Sequence, residues 1–530
     1  MAALARIAVR GPLLAVASGL LTALALPGMG GPGALAYAAL VPLLWVTVEA
    51  TGRRAFALGW LAGTVAFFAS MAWVADTVHT YGALPYWIAY PVALLNALYL
   101  GAYTGVFAWV SRFLFARRVP LALAAPLVWV SLEYARTHLV TGDPWNLLGL
   151  ALADSTRIVQ LADITGVYGV SGFIVVINVC LFTLVAPLFG RYPGRRQSFF
   201  LNHALLLFLV PICVVTYGQV RIASLSLDHQ RHPNPEGPIR VSLVQPNIPQ
   251  AQKWDPAFLE ETIQRLEHLT RAAAGHRPDL VVWPEASAPL VLEEDPMLTG
   301  RVAALARGLG SHLMVGTLSL AEGGAARNAV TLFDPQGRPV AQVAKTHLVP
   351  FGEYVPLERY LPFVRALTAG IGNMLPGAEP VVLPHPRGAA AVAVCYEIIF
   401  PDLVRRRMAG AAFIVTITND AWFGASAALA QHFAQARMRA VENRAYVVRA
   451  ANTGITGMVD PYGIVQAAAE PNTEALVNVT IDRAFAPGFY ATHGDVFARA
   501  SAILVFLIST FAAFRRAKRP RQREEDDTDG

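Results

Sequence analysis

The chain has 530 residues, of which 55% are hydrophobic and only 15% charged, where a soluble protein carries roughly 25% charged residues. That composition excludes a wholly water-soluble protein and places much of the chain in lipid. The net charge of +6 is not gathered into one basic stripe, so nucleic-acid binding is not expected. The basic clusters lie in short segments between apolar runs, where they fit membrane topology.

In chain order, apolar runs of spanning length fall near Pro12–Leu26, Ala34–Val48, Ala55–Ala75, Leu84–Val110, Val119–Leu132, Gly166–Phe189, Phe199–Tyr217 and Val496–Phe514. They predict about eight membrane spans. The connecting segments alternate in charge. Arg6 and Arg10 precede the first run, and Arg53 and Arg54 follow the second. Arg112, Arg117 and Arg118 follow the fourth, and Arg191, Arg195 and Arg196 the sixth. Arg515, Arg516, Lys518 and Arg519 follow the eighth. The alternate loops Pro27–Gly33 and Asp76–Ala83 hold neither Lys nor Arg, although Glu133–Thr165 holds Arg136 and Arg157. This bias predicts both ends in the cytoplasm and the large polar region on the far side of the membrane. A cleavable signal peptide ending near Ala34-Leu35-Ala36 is a competing reading of the start, and would remove one helix only.

The expected plan is therefore a membrane domain over 1–217, a large polar domain over 218–495 and a last transmembrane helix over 496–514. A disordered, cytoplasmic tail over 515–530 completes it. Trp73, Tyr81, Tyr86, Trp87 and Trp145 fall near the same face as that domain, as an aromatic belt or a lipid entrance would. Glu133 and Arg136 stand three residues apart at the end of the fifth run, a spacing that predicts a pair on one helix. A transporter is disfavoured, since the runs show neither mid-membrane charges nor broken-helix signals.

The polar region alternates strands and helices. Strands are expected at Ile239–Val244, Leu280–Trp283, Leu313–Leu318, Ala329–Phe333, Ala391–Val394, Phe413–Thr418 and Tyr446–Ala450. Amphipathic helices are expected at Phe258–Ala274 and Leu429–Asn443. The alternation predicts an α/β domain.

Three strands end on a reactive side chain. Leu280–Pro284 delivers Glu285, Val340–Ala344 delivers Lys345, and Ala391–Val394 delivers Cys395. Strand ends are where the loops of α/β folds form crevices. A free thiol near pH 7 is only a few per cent thiolate and needs a base or a positive charge beside it. A carboxylate can take the thiol proton and return it to a leaving group, and an ammonium can stabilise an oxyanion. Taken singly, Cys395 reads as a core residue, Glu285 as a loop residue and Lys345 as surface; the conjunction carries the reading. Of the three cysteines, Cys180 and Cys213 lie in apolar runs, which leaves Cys395 without a disulfide partner in its domain. A Cys–His dyad would need His347, His385 or His432 beside it, with no motif in support. No metal-ligand spacing and no cofactor motif occurs.

Trp283-Pro284-Glu285, the Lys345 segment, Cys395-Tyr396-Glu397, Asn419-Asp420-Ala421-Trp422-Phe423 and Arg439-Ala440-Val441-Glu442-Asn443-Arg444 resemble the nitrilase (carbon–nitrogen hydrolase) superfamily. The resemblance covers roughly Ile239–Ile481. It implies an αββα sandwich with a Glu–Lys–Cys triad of Glu285, Lys345 and Cys395. Seven spans, then this domain, then one span is similar to the layout of the apolipoprotein N-acyltransferase family, as are Gln245–Gln250 and Lys345–Pro356. That resemblance implies transfer of an acyl chain from a membrane phospholipid to the α-amine of a diacylglyceryl-modified apolipoprotein, through a thioester on Cys395. It implies Glu285 as general base, Lys345 as oxyanion partner, and Glu353, Tyr396 and Glu397 in support. Trp254 matches a tryptophan on a mobile loop over the site, while the residues alone read equally well as an aromatic anchor in a loop. The implied setting is the bacterial inner membrane with the catalytic domain facing the periplasm. The alternative is a membrane-tethered amidase or nitrilase with the same triad and water as acceptor.

Overall fold

A computed structural model describes residues 2–189, 197–231, 234–356, 373–379 and 381–517. Arg191, Arg195, Arg196 and, in the expected tail, residues 518–530 with Lys518 and Arg519 lie outside them.

Among the described residues, four helices are long and apolar enough to cross a membrane: Tyr86–Ala116, Val167–Leu188, Leu201–Arg231 and Val496–Phe514. A fifth span arises if Gly52–Ser70 and Trp73–Gly82, bent by 56° at their junction, count as one. The other three expected runs form shorter or more polar helices. Ala34–Val48 is divided at Leu40 into Ala36–Ala39 and Val41–Glu49. Val119–Leu132 becomes Leu121–His138, which takes in Glu133 and Arg136. The seventh run extends well past Tyr217, as a helix over Gln197–Arg231. The 217/218 boundary thus falls inside a helix, and the polar domain's first strand starts at Ile239. The last helix continues to Ala517, so residues 515–517 are helical.

The polar domain holds two six-stranded sheets, ordered β12-β1-β2-β3-β4-β5 and β11-β10-β9-β8-β7-β6. The first contains β1 (Ile239–Gln245), β2 (Leu280–Val282), β3 (His312–Leu320), β4 (Ala326–Phe333), β5 (Pro339–Ala344) and β12 (Ala475–Ile481). The second contains β6 (Val382–Leu383), β7 (Ala390–Val394), β8 (Phe413–Thr418), β9 (Val447–Ala451), β10 (Gly457–Val459) and β11 (Val465–Ala468). β1, β2 and β3 run parallel, as do β7, β8 and β9. Side chains alternate across a strand. Ile239, Val241, Leu243 and Val282 accordingly meet Val392, Val394, Val415 and Ile417 in one core between the sheets. Val281 and Val315 point the other way and pack on the helices Leu259–Ala272 and Pro296–Leu309. The second sheet's outer face packs on Pro401–Arg407 and Ala428–Asn443. The layers are therefore αββα, as expected. The seven expected strands match β1–β4 and β7–β9; β6, β10, β11 and β12 were not expected.

The helix Ala428–Asn443 joins the two halves of the molecule. It carries Gln431, His432, Gln435, Arg439, Glu442 and Asn443, all buried. A polar helix buried all round needs partners for its polar groups. Three of them come from the membrane half: Trp145 Nε1 donates to Gln431 Oε1 (2.8 Å), Gln431 donates to Ser70 O (2.9 Å), and the Val167 N–H donates to Glu442 (2.8 Å). At its end Arg444 pairs with Asp163 (2.6 Å), which also accepts from Arg221 (2.6 Å) and from the Tyr217 hydroxyl.

Three sequence expectations change here. Glu133 and Arg136 are not an ion pair. Glu133 accepts from Leu148 N (2.8 Å) and Trp129 Nε1 (2.9 Å), while Arg136 donates to Trp145 O (2.8 Å). Both brace the loop that carries Trp145. Being buried, and with one helix pair bent, they remove the argument that the spans lack buried charge and broken helices. Trp145 is no belt residue: it is buried, with its ring 5.2 Å from Trp73 and 5.6 Å from Phe423. Tyr81 donates to Ala421 O (2.9 Å), so it too seats the catalytic domain, whereas Tyr86 and Trp87 are exposed.

Candidate active site

Glu285, Lys345 and Cys395 come together at the strand ends, all buried. Glu285 follows β2 on a loop that folds closely over β3. A Cβ on Gly316 would stand 2.2 Å from Pro284 O and 2.8 Å from Glu285 Cα, so only glycine allows that approach. The Glu285 carboxylate accepts from Asn328 Nδ2 (2.7 Å) and from the Asn419 N–H (2.8 Å). Its two oxygens are thereby aimed before any substrate arrives.

Lys345 directly follows β5, and its N–H donates to Asn328 O on β4 (2.8 Å). Its ammonium donates to Glu353 (2.9 Å) and stands 3.6 Å from Glu285. Asn328 Nδ2 also reaches Glu353 (3.0 Å), and Glu353 accepts from Val349 N (2.8 Å), folding the Lys345–Tyr354 loop back on itself. Burial alone disfavours the Lys345 charge, but Glu353, Glu285 and Cys395 outweigh it and hold the ammonium well above its usual range. Lys345 is a fixed cation.

Cys395 follows β7 in a left-handed conformation, φ 52°, which is costly for a residue with a side chain. Burial pushes its thiol well up, Glu285 adds to that, and Lys345 opposes it. The resting sulfur is thus a protonated thiol that needs a base. The turn is held from both sides. Glu397 accepts from Val394 N (2.8 Å), Thr346 N (2.8 Å) and His347 N (3.0 Å), tying the Cys395 turn to the Lys345 loop. Arg407 grips Glu397 with two bonds of 2.7 Å. Burial opposes that carboxylate's charge, but Arg407 and the N–H groups bring it down to about 2. On the other side His432 Nε2 donates to Cys395 O (3.2 Å) and its Nδ1 faces Asp420 (3.0 Å). His432 thus meets Cys395 through the backbone and not as a dyad partner. Tyr396 donates to Gly142 O in the membrane half (3.4 Å).

Trp254 is 45% exposed, its N–H donates to Gln252 O, and among the described residues its side chain has no hydrogen-bond or ring partner. It is not brought into the cluster. Its neighbour Lys253 is: it is 5% exposed and donates to Glu285 O (2.7 Å). Burial lowers its amine to about 8, against the opposing pull of Glu285 and Cys395. Among the described residues, no group of three or more His, Cys, Asp or Glu is placed to hold a metal.

The comparisons with known proteins cover both halves. The carbon-nitrogen hydrolase family matches residues 240–487, and the apolipoprotein N-acyltransferase N-terminal domain family matches residues 18–180. A protein named apolipoprotein N-acyltransferase from Geobacter metallireducens is 39% identical over 95% of this chain and 95% of its own. One of the same name from Allorhizobium ampelinum is 34% identical over 91% of this chain and 92% of its own. The chain belongs to the apolipoprotein N-acyltransferase family. Its polar domain has the carbon-nitrogen hydrolase fold. Among solved structures, Saccharomyces cerevisiae Nit3 of the nitrilase superfamily is 18% identical, covers 54% of this chain and 97% of its own, and has a TM-score of 0.37.

For this N-acyltransferase family member, sequence reasoning missed Lys253, Asn328, Arg407 and His432. Lys253 stands in Gln250–Trp254 and Arg407 ends a basic triplet, and both patterns read as solvated surface. His432 reads in the sequence only as a candidate thiol base. Asn328 sits within β4 with no signal at all.

Proposed function

We propose that the chain is an acyltransferase that moves a fatty acyl chain from a membrane phospholipid to the α-amino group of the N-terminal diacylglyceryl-cysteine of apolipoproteins. The observation that carries this is the similarity to proteins named for that activity over 95% of both chains, membrane half included. In the first half-reaction, Glu285 takes the Cys395 proton as sulfur attacks the acyl ester. Lys345 and the N–H groups after Cys395 stabilise the oxyanion. The tetrahedral intermediate collapses to a thioester, and the Glu285 proton goes to the departing glyceryl oxygen of the lysophospholipid. In the second, the acceptor amine attacks the thioester, an amide forms, and the thiol is restored.

Supporting this assignment, Glu285 is aimed by Asn328 and Asn419, and Lys345 is held charged by two carboxylates. Glu353, Tyr396 and Glu397 act as positioning groups for the Lys345 loop and the Cys395 turn, and Trp254 borders the entrance. The seat of the catalytic domain on the membrane half suits two substrates that are both anchored in lipid. The alternating loop charge supports a catalytic domain on the periplasmic side of the inner membrane, in a topology of eight spans with both ends in the cytoplasm. Cys395→Ala is expected to abolish conversion of diacylated to triacylated lipoprotein, scored by product mass. Unchanged conversion would exclude Cys395 as nucleophile. Steady ammonia release from simple amides without lipoprotein product would favour hydrolysis instead.

A further inference from the structure

The two half-reactions differ in their proton balance. In the first, one proton moves from the Cys395 sulfur to the leaving glyceryl oxygen, and none is left over. Glu285 alone can carry it. In the second, the acceptor is an α-amine with an ordinary pKa of about 7.7–8.0, so near neutral pH much of it arrives as an ammonium. That nitrogen must lose two protons. One must go before its lone pair can attack the thioester carbon. The other goes as the C–N bond forms and the C–S bond breaks, and it ends on the Cys395 sulfur. Glu285 can shuttle the second proton from nitrogen to sulfur. The first must reach solvent, and it needs a separate acceptor.

Building on the acyl-transfer reading, we propose that the amine of Lys253 is that acceptor, taking the first proton from the substrate ammonium in the second half-reaction and releasing it to solvent. Lys253 is buried and donates to the main-chain carbonyl of Glu285 at 2.7 Å. That contact leaves the rest of the amine free, and no carboxylate lies within ion-pair distance among the described residues. Lys345 is the contrast. It stands 2.9 Å from Glu353 and 3.6 Å from Glu285, and a lysine clamped by two carboxylates cannot accept a proton.

The titratable groups that act on Lys253 are Glu285 and Cys395, and both favour its charged form against the effect of burial, which leaves it at about 8. Glu285 holds Lys253 in place throughout by a backbone oxygen that does not titrate.

The test is a single-turnover experiment on the full-length enzyme in detergent or nanodiscs. Wild type, Lys253→Arg and Lys253→Gln are first incubated with phospholipid, and thioester loading is measured by intact-protein mass spectrometry. Each loaded enzyme is then mixed with a diacylated lipopeptide, and discharge is followed between pH 6.5 and 9.5. Loading is expected to change by about threefold at most. Discharge near pH 7 is expected to fall by up to about tenfold in both variants, because only about a tenth of an α-amine with a pKa of about 7.7–8.0 is neutral there without help. The deficit should vanish near pH 9.5, where the acceptor arrives already neutral. Arginine keeps the charge and cannot act as a base. If Lys253→Arg discharges at the wild-type rate, a cation suffices and the proposal is wrong. If loading and discharge fall together in both variants, or if the deficit is the same at every pH, Lys253 acts on structure or on the oxyanion and the proposal is equally wrong. A wild type that never loads would instead overturn the Cys395 thioester on which the inference rests.

Discussion

Glu285→Gln is expected to slow acyl transfer by about 10²–10⁴-fold, the range that a positioned general base contributes. The reason lies in the state of the nucleophile. Burial pushes the Cys395 thiol well up, and the Lys345 charge only partly opposes this. The sulfur therefore does not rest as a thiolate, and attack requires that the proton leave in the same step. Glutamine keeps the shape and one acceptor oxygen, so Asn328 or the Asn419 N–H retains a partner. Lys345 keeps Glu353 at 2.9 Å and stays charged. The loss thus falls on proton transfer, and it should appear in both thioester formation and discharge when each is timed separately. A decrease of less than tenfold in loading would mean that another group takes the thiol proton.

Arg407→Met is expected to destabilise the catalytic domain by about 3–5 kcal/mol, the usual result of removing one partner of a buried ion pair. Arg407 and Glu397 are both buried and joined by two bonds of 2.7 Å. Without Arg407, Glu397 is left as an anion held by backbone N–H groups and the Thr346 hydroxyl. Two of those N–H groups belong to Thr346 and His347 and one to Val394, so the variant should loosen the Lys345 loop and the Cys395 turn together. Activity is expected to fall with stability. The pH dependence has a definite sign. Glu397 has its ordinary value of 4.5 depressed to about 2 in the folded protein. The stability it contributes is therefore present above about 4.5 and is lost as pH falls toward about 2. In the variant the depression shrinks, and that part of the acid sensitivity should shrink with it. Denaturant unfolding of the purified protein at pH 7 and pH 3 measures both effects. A change below about 1 kcal/mol at pH 7 would show that Glu397 is satisfied without Arg407.

The sandwich was legible in the sequence because its central strands are buried on both faces and read as unbroken apolar runs. The strand expected at Phe413–Thr418 coincides with β8. The strands that were missed are short, or half exposed like β11 and β12, and half-exposed strands carry weaker patterns. β12 pairs with β1 over the full length Ile239–Gln245, across a sequence separation that leaves no local trace. Glu285 and Cys395 were legible for the same reason as the strands, since each follows a buried apolar run, whereas Lys345 follows the half-exposed β5.

Partners set by tertiary contact were not legible. Three-residue spacing suggested a Glu133–Arg136 pair, but each side chain turns to the backbone of the Trp145–Leu148 segment. Lys253 and Arg407 look like surface cations until the fold closes over them. The membrane half was read less well than the sandwich. Mean hydropathy does not reveal where a run breaks, as at Leu40 and between Ser70 and Trp73, and a break decides whether an apolar stretch makes one long helix or two short ones.

The account turns on a covalent acyl group carried by one sulfur. Wild-type enzyme incubated with phospholipid and no acceptor should gain the mass of one acyl chain, seen by intact-protein mass spectrometry. Peptide mapping should place it on Cys395, and a diacylated lipopeptide should remove it as the amide product appears. If enzyme that is active in lipoprotein conversion stays unmodified under those conditions, or carries its acyl group elsewhere, the thioester mechanism at Cys395 is contradicted.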